Sequence, residues 1–414
     1  MAPVRLDLAE IATWLPPGSR ILVAGATGES LVLADAVMAA GGNLGAATFT
    51  GAFIPGVNRH TYLANPDCRV ETFFVTPELK DEVGKRVTFL PLCYNDILDR
   101  LRSKSIDAML IMVTPPDEHG NCSFGPAVDF AAELWPGIPV RIAHINPAMP
   151  RTPGHAGIPL DQITAFVEAD QPFDGLADIG DDPIANAIAA HIAPYIVDGA
   201  TLQMGVGKVP GAVLRALTGR RNLRVHSGLI VDAVVDLEEA GALAPGVSVT
   251  AGVAIGSERL YRAIAGPAYN FQPVSVTHDA ATIAAIPNFV AINSALEVDL
   301  LGQAYSELGP KGLMSGPGGA SDYARAAKIG GGLRIVALAA TAAKGAISRV
   351  ALPGTPVGPV ALGRMDIDII VTEYGAADIR ALTYDARAEA LIAIAAPDHR
   401  AALRDGWRAY ASQL

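Results

Sequence analysis

Short runs of β-branched and other apolar residues alternate along this chain with longer Ala- and Leu-rich stretches. Residues 20–23, 108–113, 140–145, 334–338 and 368–372 predict strands, while 31–40, 183–194 and 385–395 predict amphipathic helices. Strands alternating with helices imply βαβ units and a largely parallel sheet. Residues 109–113, and 367–371 apart from Asp368, have the continuous apolar character expected of central strands buried on both faces. The segment PGSRILVAGATGESLVLADAV from Pro17 is echoed by DGATLQMGVGKVPGAVLRAL from Asp198, each a turn, a strand, a Gly-rich loop and a helix. Such a repeat predicts two homologous α/β domains. The acidic Pro/Gly stretch 168–183 precedes the second copy and is the expected linker, which places an N-terminal domain over 1–182 and a C-terminal domain over 183–414.

Composition narrows the function classes. A chain of 414 residues exceeds what one core usually organises, and half of it is apolar. A net charge of −11 without a Lys/Arg-rich run argues against nucleic acid and anionic membranes as partners. Cys68, Cys93 and Cys122 lack framework spacing and read as reduced thiols of a cytoplasmic protein. The N-terminal stretch shows no secretory h-region, and apolar runs such as 335–343 are too short to span a bilayer.

Three Gly-rich loops are the candidate chemistry. Gly25-Ala-Thr-Gly28 follows a strand and opens a helix, yet Leu31 stands where a dinucleotide fingerprint needs its third glycine, so a tight turn is the better reading. Gly207-Lys208 is followed by Val209 and makes no P-loop. Gly205-Val-Gly207 places backbone N–H groups at a helix start, where an oxyanion or carboxylate can be held. Ser315-Gly-Pro-Gly-Gly-Ala-Ser-Asp322-Tyr-Ala-Arg325 lets the backbone approach a bulky ligand. The histidines form no closely spaced metal-ligand set.

Longer blocks carry a family resemblance. LQMGVGKVPGAVLRALTGRRNLRVHSGLIVDAVVDL, from Leu202 to Leu237, resembles LQxGIGxIPxAV…LGIHSEMxSDGxVDL of the acetyl-CoA hydrolase/transferase family. AINSALEVDLLGQ from Ala291 resembles AINSALEVDLxGQ, and the loop from Ser315 resembles SGxGGxxDFxRGA. VTEYGAADIR from Val371, AAPDHR from Ala395 and VTPPDEHGNCSFG from Val113 resemble VTEYGIADLRG, AHPDFR and VSPPDxHGxCSLG. The resemblance runs from about residue 15 to the end. It implies two tandem CoA-transferase-type α/β domains with mainly parallel sheets, and a site supplied mostly by the C-terminal half. It further implies an acyl-CoA substrate, coenzyme A as product rather than a permanently bound cofactor, a carboxylic acid as possible partner, no metal, and a homodimer.

The resemblance also exposes departures. The family's nucleophilic glutamate follows the His-Ser pair; here His226 and Ser227 are followed by Gly228. That glutamate attacks the acyl-CoA carbonyl and passes through an anhydride to a glutamyl-CoA thioester, a covalent route that glycine cannot run. His278 stands where relatives have an asparagine lining the acyl oxyanion hole, Ala396 replaces the histidine of AHPDFR, and His144 stands where some relatives carry an acid. The expectation is therefore hydrolysis of a thioester or β-keto acyl-CoA. His226 or His278 would activate water, Gly318 and Gly319 amides would hold the oxyanion, and the missing side chain at 228 would leave room for water or a bulkier acyl group. Gly205, Gly207, Gly316, Asp322, Glu297 and Lys344 are the candidate CoA or acyl contacts. Two alternatives stand beside this: a CoA-transferase using Glu297 or Asp232, and a CoA-binding scaffold without catalysis. Phe53-Ile-Pro-Gly-Val-Asn-Arg59 reads as a rigid loop, with Arg59 available to a substrate carboxylate.

Overall fold

The computed structural model describes residues 3–173, 180, 182–205, 207–309 and 312–413. The chain forms two compact units, Met1–Ala177 with Val249–Thr277, and Asp178–Ser248 with His278–Leu414. The expected linker 168–183 begins within a strand ending at Glu168, and its residues 174–179 and 181 lie outside the described set.

In the first unit, β1 (Val4–Arg5), β2 (Arg20–Val23), β3 (Thr48–Gly51), β4 (Arg69–Thr72), β5 (Val87–Phe89), β6 (Ala108–Val113), β7 (Val140–Ile145) and β8 (Ala165–Glu168) form one sheet. Its order is β1-β8-β7-β6-β2-β3-β4-β5, and every pairing is parallel. Strand β6 is buried at all six positions, which explains its unbroken apolar sequence. From β2 the chain winds outward to β5, then returns to β6 on β2's other side. The carboxyl ends of β2 and β6 thus mark the reversal of strand order, the place where open α/β sheets admit ligands. Helix α1 (Leu31–Ala40) follows β2, with Ser30 accepting from Leu33 N. Gly25 makes that turn possible: a Cβ there would lie 2.1 Å from the Ala52 carbonyl oxygen.

Residues 249–277 complete this unit. Their strands Val249–Ala254 and Tyr269–Phe271 pair in parallel with each other. Val128 N donates to Gly252 O at 3.0 Å, Ala254 N to Pro126 O at 2.8 Å, and Phe271 N to Pro153 O at 2.8 Å.

The second unit repeats the plan. Strands β9 (Thr201–Met204), β10 (Arg224–Ile230), β11 (Phe289–Ser294), β12 (Leu333–Ala337) and β13 (Ile369–Thr372) run parallel in the order β10-β9-β11-β12-β13. An antiparallel edge strand, β14 (Gly375–Asp378), covers β13, so the stretch 367–371, expected in a central strand, leads into the next-to-edge strand instead. Helix α2 (Lys208–Ala216) follows β9, as α1 follows β2. Strand order again reverses beside the first strand of the repeat, at the carboxyl ends of β9 and β11. Helix α3 (Ala320–Ile329) packs on β11 and β12 and contributes Tyr323, Ala326 and Ala327 to a buried cluster with Ile283, Phe289 and Ala291. Burying an aromatic ring of Phe289's size stabilises by about 1.5–3 kcal/mol.

Candidate active site

Successive side chains of a strand point to opposite faces, so His226 and Gly228 of β10 share one face and Val225 and Ser227 the other. Ser227 Oγ donates to the Met204 carbonyl at 2.8 Å, tying β10 to β9 beyond the Leu202–Val225 register pair. Gly205 follows directly, at the carboxyl end of β9 where strand order reverses.

The face carrying His226 and Gly228 meets His278. A Cβ at Gly228 would lie 2.4 Å from His278 Cε1, 2.7 Å from its Nε2 and 3.3 Å from the Tyr323 hydroxyl. A Cβ at Gly319 would lie 2.8 Å from Nε2, 2.9 Å from Cδ2 and 3.0 Å from Tyr323 Cε2. Two glycines, one on β10 and one at the start of α3, thus leave between them the room that the imidazole takes. This corrects the expectation of an open space at residue 228, because the His278 ring fills it.

His278 is held from several sides. It directly precedes Asp279, whose carboxylate accepts from Thr282 N and Oγ1 at 2.7 Å each and so caps the helix Ala280–Ala284. Its ring lies 4.8 Å from that of Tyr323, tilted by 48°. Tyr323 stacks on Phe289 at 6.3 Å, and Phe289 meets the His226 ring edge-on at 6.4 Å. Burial, and then the nearby His226, push the His278 pKa down to about 3, so the imidazole is neutral at physiological pH.

The remaining sequence candidates divide into neighbours of this cluster and residues set in other elements. Gly207, with φ +128°, is the N-cap of α2, while Val206 lies outside the described residues. Gly318 has φ +62° and is followed by Gly319, the N-cap of α3; Asp322 lies in that helix's first turn, favourable to its dipole. Gly316 is buried, and the Glu307 carbonyl anchors its loop by accepting from Met314 N at 2.8 Å and Ser315 N at 3.3 Å. Glu297 stands in a separate small sheet, its strand paired antiparallel with Ala304–Tyr305. Lys344 sits exposed at a hairpin tip with φ +57°. Asp232 is buried, and its carbonyl accepts from Val235 N as the helix Ala233–Glu239 begins. His144 has both ring nitrogens engaged, with Ser30 Oγ and the Ala169 carbonyl, each at 2.9 Å. Ala396 is buried, and Arg59 is exposed.

Sequence reasoning passed over Tyr323; an aromatic residue four positions past a Gly-Gly pair was its signal. It also passed over Asn58, which locks the loop 53–59. Asn58 Oδ1 accepts from Ala26 N and Ile54 N, and its Nδ2 donates to Glu29 Oε2 at 2.9 Å. Tyr62 donates to the other Glu29 oxygen at 2.8 Å. Burial raises the Glu29 pKa despite these bonds. Among the described residues, no group of three or more His, Cys, Asp or Glu is arranged to hold a metal, and no helix is long and apolar enough to cross a membrane.

Comparison with known proteins agrees with this architecture. Residues 6–173 match the acetyl-CoA hydrolase/transferase N-terminal domain and residues 256–407 the C-terminal domain. The chain is 33% identical to the 4-hydroxybutyrate coenzyme A transferase of Clostridium kluyveri over 94% of both proteins. It superposes on RipA from Yersinia pestis with a TM-score of 0.88 at 27% identity, covering 98% of this chain and 97% of that one. A 4-hydroxybutyrate CoA-transferase from Porphyromonas gingivalis gives a TM-score of 0.82 at 29% identity, with 98% of each chain covered. The chain belongs to the acetyl-CoA hydrolase/transferase family and is an acyl-CoA-processing enzyme.

Proposed function

We propose that this protein hydrolyses an acyl-CoA thioester, or a β-keto acyl-CoA, by direct attack of water and without a glutamyl-CoA intermediate. The observation that carries the reading is the His278 imidazole in the space that any side chain at residue 228 would enter. A carboxylate that makes covalent intermediates has given way to a neutral nitrogen base. Water oxygen bonds to the carbonyl carbon, His278 takes the proton, and the C–S bond breaks to release coenzyme A and the acid. The imidazolium returns its proton to the departing thiolate. Gly318 and Gly319 amides, at the start of α3, are assigned to the oxyanion, where preorganised N–H donors contribute most. Gly205, Gly207, Gly316, Asp322 and the exposed Lys344 are assigned to the CoA moiety.

A base this weakly basic abstracts its proton as the C–O bond forms, not beforehand. With a pKa near 3, His278 stays unprotonated through the mildly acidic range. The acid limb of kcat/KM is therefore expected below pH 5, not near the ordinary histidine value of about 6.5. An acid limb centred near 6.5 would count against His278 as the base.

The reading is tested by thiol release from a panel of acyl-CoAs, with and without acetate. Wild type should release thiol independently of acid, and His278→Asn should lose that activity. Gly228→Glu alone should not gain transfer, because its side chain runs into the imidazole. Gly228→Glu/His278→Asn, which frees the space, should gain acetate-dependent exchange. Silence of the wild type on every acyl-CoA, with exchange appearing in the double variant, would defeat the hydrolytic reading.

A further inference from the structure

We infer that His399 is the positioning residue for Lys344, its imidazole holding the hairpin tip that presents the lysine to the phosphates of coenzyme A. The inference rests on the reading that Lys344 contacts the CoA moiety. The two strands of this hairpin pair antiparallel, Thr341 with Ser348 and Ala342 with Ile347. Between them Ala343, Lys344 and Gly345 all take left-handed backbone, with φ of +49°, +57° and +95°. Two successive non-glycine residues in that region are unfavourable and persist where their surroundings hold them. At the base of the hairpin, Arg349 N donates to the Ala340 carbonyl at 2.9 Å and Ala340 N to Glu373 Oε2 at 2.7 Å. At the tip, His399 Nε2 donates to the Gly345 carbonyl at 2.9 Å, one residue from Lys344. A carbonyl only accepts, so Nε2 carries the proton of this bond.

His399 is itself well anchored. It directly precedes the helix Arg400–Ala411, whose Leu403 and Trp407 are buried in the core of this unit. Trp407 Nε1 donates to Asp385 Oδ1, and Arg400 Nε to the Ala395 carbonyl, each at 2.9 Å. Lys344 is exposed, and among the described residues no acid pairs with it, so its charge is open to an anionic ligand. The family pattern AHPDFR has phenylalanine where His399 stands, so a ring serves the packing there and the Nε2 donor is what histidine adds.

The experiment measures the Kd of coenzyme A for the full-length protein by calorimetry, at low salt and at about 1 M salt, where screening shortens to ~3 Å. Binding is read directly, so the result does not depend on thioester hydrolysis. His399→Phe keeps the ring and removes the donor; it should weaken binding at low salt by about 2- to 5-fold, the scale of one exposed charge pair. At high salt the variant and the wild type should converge. His399→Gln, which restores an N–H donor, should bind as the wild type does. In a Lys344→Ala background, His399→Phe should add no further loss. Wild-type affinity in His399→Phe, beside a weakened Lys344→Ala, would overturn the inference and leave the Lys344 assignment standing. A loss that persists without Lys344 would overturn it as well. No loss in either single variant, or no binding of coenzyme A at all, would sink the Lys344 assignment and the inference with it.

Discussion

A Cβ at residue 228 and the His278 imidazole compete for the same space. Gly228→Ala adds only a methyl group, yet that methyl would stand 2.4 Å from His278 Cε1. Overpacking of this kind costs about 1–3 kcal/mol. In a His278→Ala background the same methyl should be tolerated, so a double-mutant cycle by urea unfolding should show a coupling of at least about 1 kcal/mol. Additive effects would mean the two positions do not compete for space.

Two buried titratable residues set opposite pH trends. The folded pKa of His278 lies below its unfolded value, so its stability contribution is intact above about pH 6.5 and drains away as pH falls toward 3. Asp129 shows the reverse: its Oδ1 is buried without a hydrogen-bond partner, and burial raises its pKa to about 7. Its unfolded carboxyl ionises near 3.9, so stability is lost as pH rises from there to 7. Asp129→Asn is accordingly expected to stabilise the protein at pH 8 and to have little effect at pH 4, measured by denaturant midpoints at the two values. A midpoint unchanged at pH 8 would contradict the buried-carboxyl account.

At the scale of elements, continuous apolar runs and helix-starting residues were legible. Strands 20–23, 108–113 and 140–145 form where the hydrophobic pattern places them, and 334–338 forms one residue earlier as Leu333–Ala337. The antiparallel pairing of Gly375–Asp378 was not legible, because small residues such as Gly375-Ala-Ala carry little strand preference. Gly228 and His278 were each singled out from a motif, but their contact was not, since no local periodicity links residues fifty positions apart. Helix Ala280–Ala284 joins the two scales. Removing its cap with Asp279→Ala should cost about 0.5–2 kcal/mol and loosen the residue directly before it, His278. Circular dichroism melting and kcat should both register the change; an unaltered kcat would show that the cap does not hold the imidazole.

For the whole molecule, the two repeated α/β plans follow the echo between residues 17 and 198, but the chain does not partition at one point. Residues 249–277 pair with segments near Pro126, Val128 and Pro153 of the first unit. A fragment 1–182 would expose those partners, so we expect it to be insoluble or to lack a cooperative melt. A fragment 1–182 that melts cooperatively would show that the later residues are dispensable.

On the proposed hydrolytic route water, not a protein carboxylate, receives the acyl group. The most direct measurement is the intact mass of the protein during steady turnover of an acyl-CoA, with free thiol followed in parallel and no acid added. Thiol should accumulate while the protein keeps its unmodified mass. A CoA adduct on a glutamate or aspartate, or thiol release that begins only when a carboxylic acid is supplied, would contradict it.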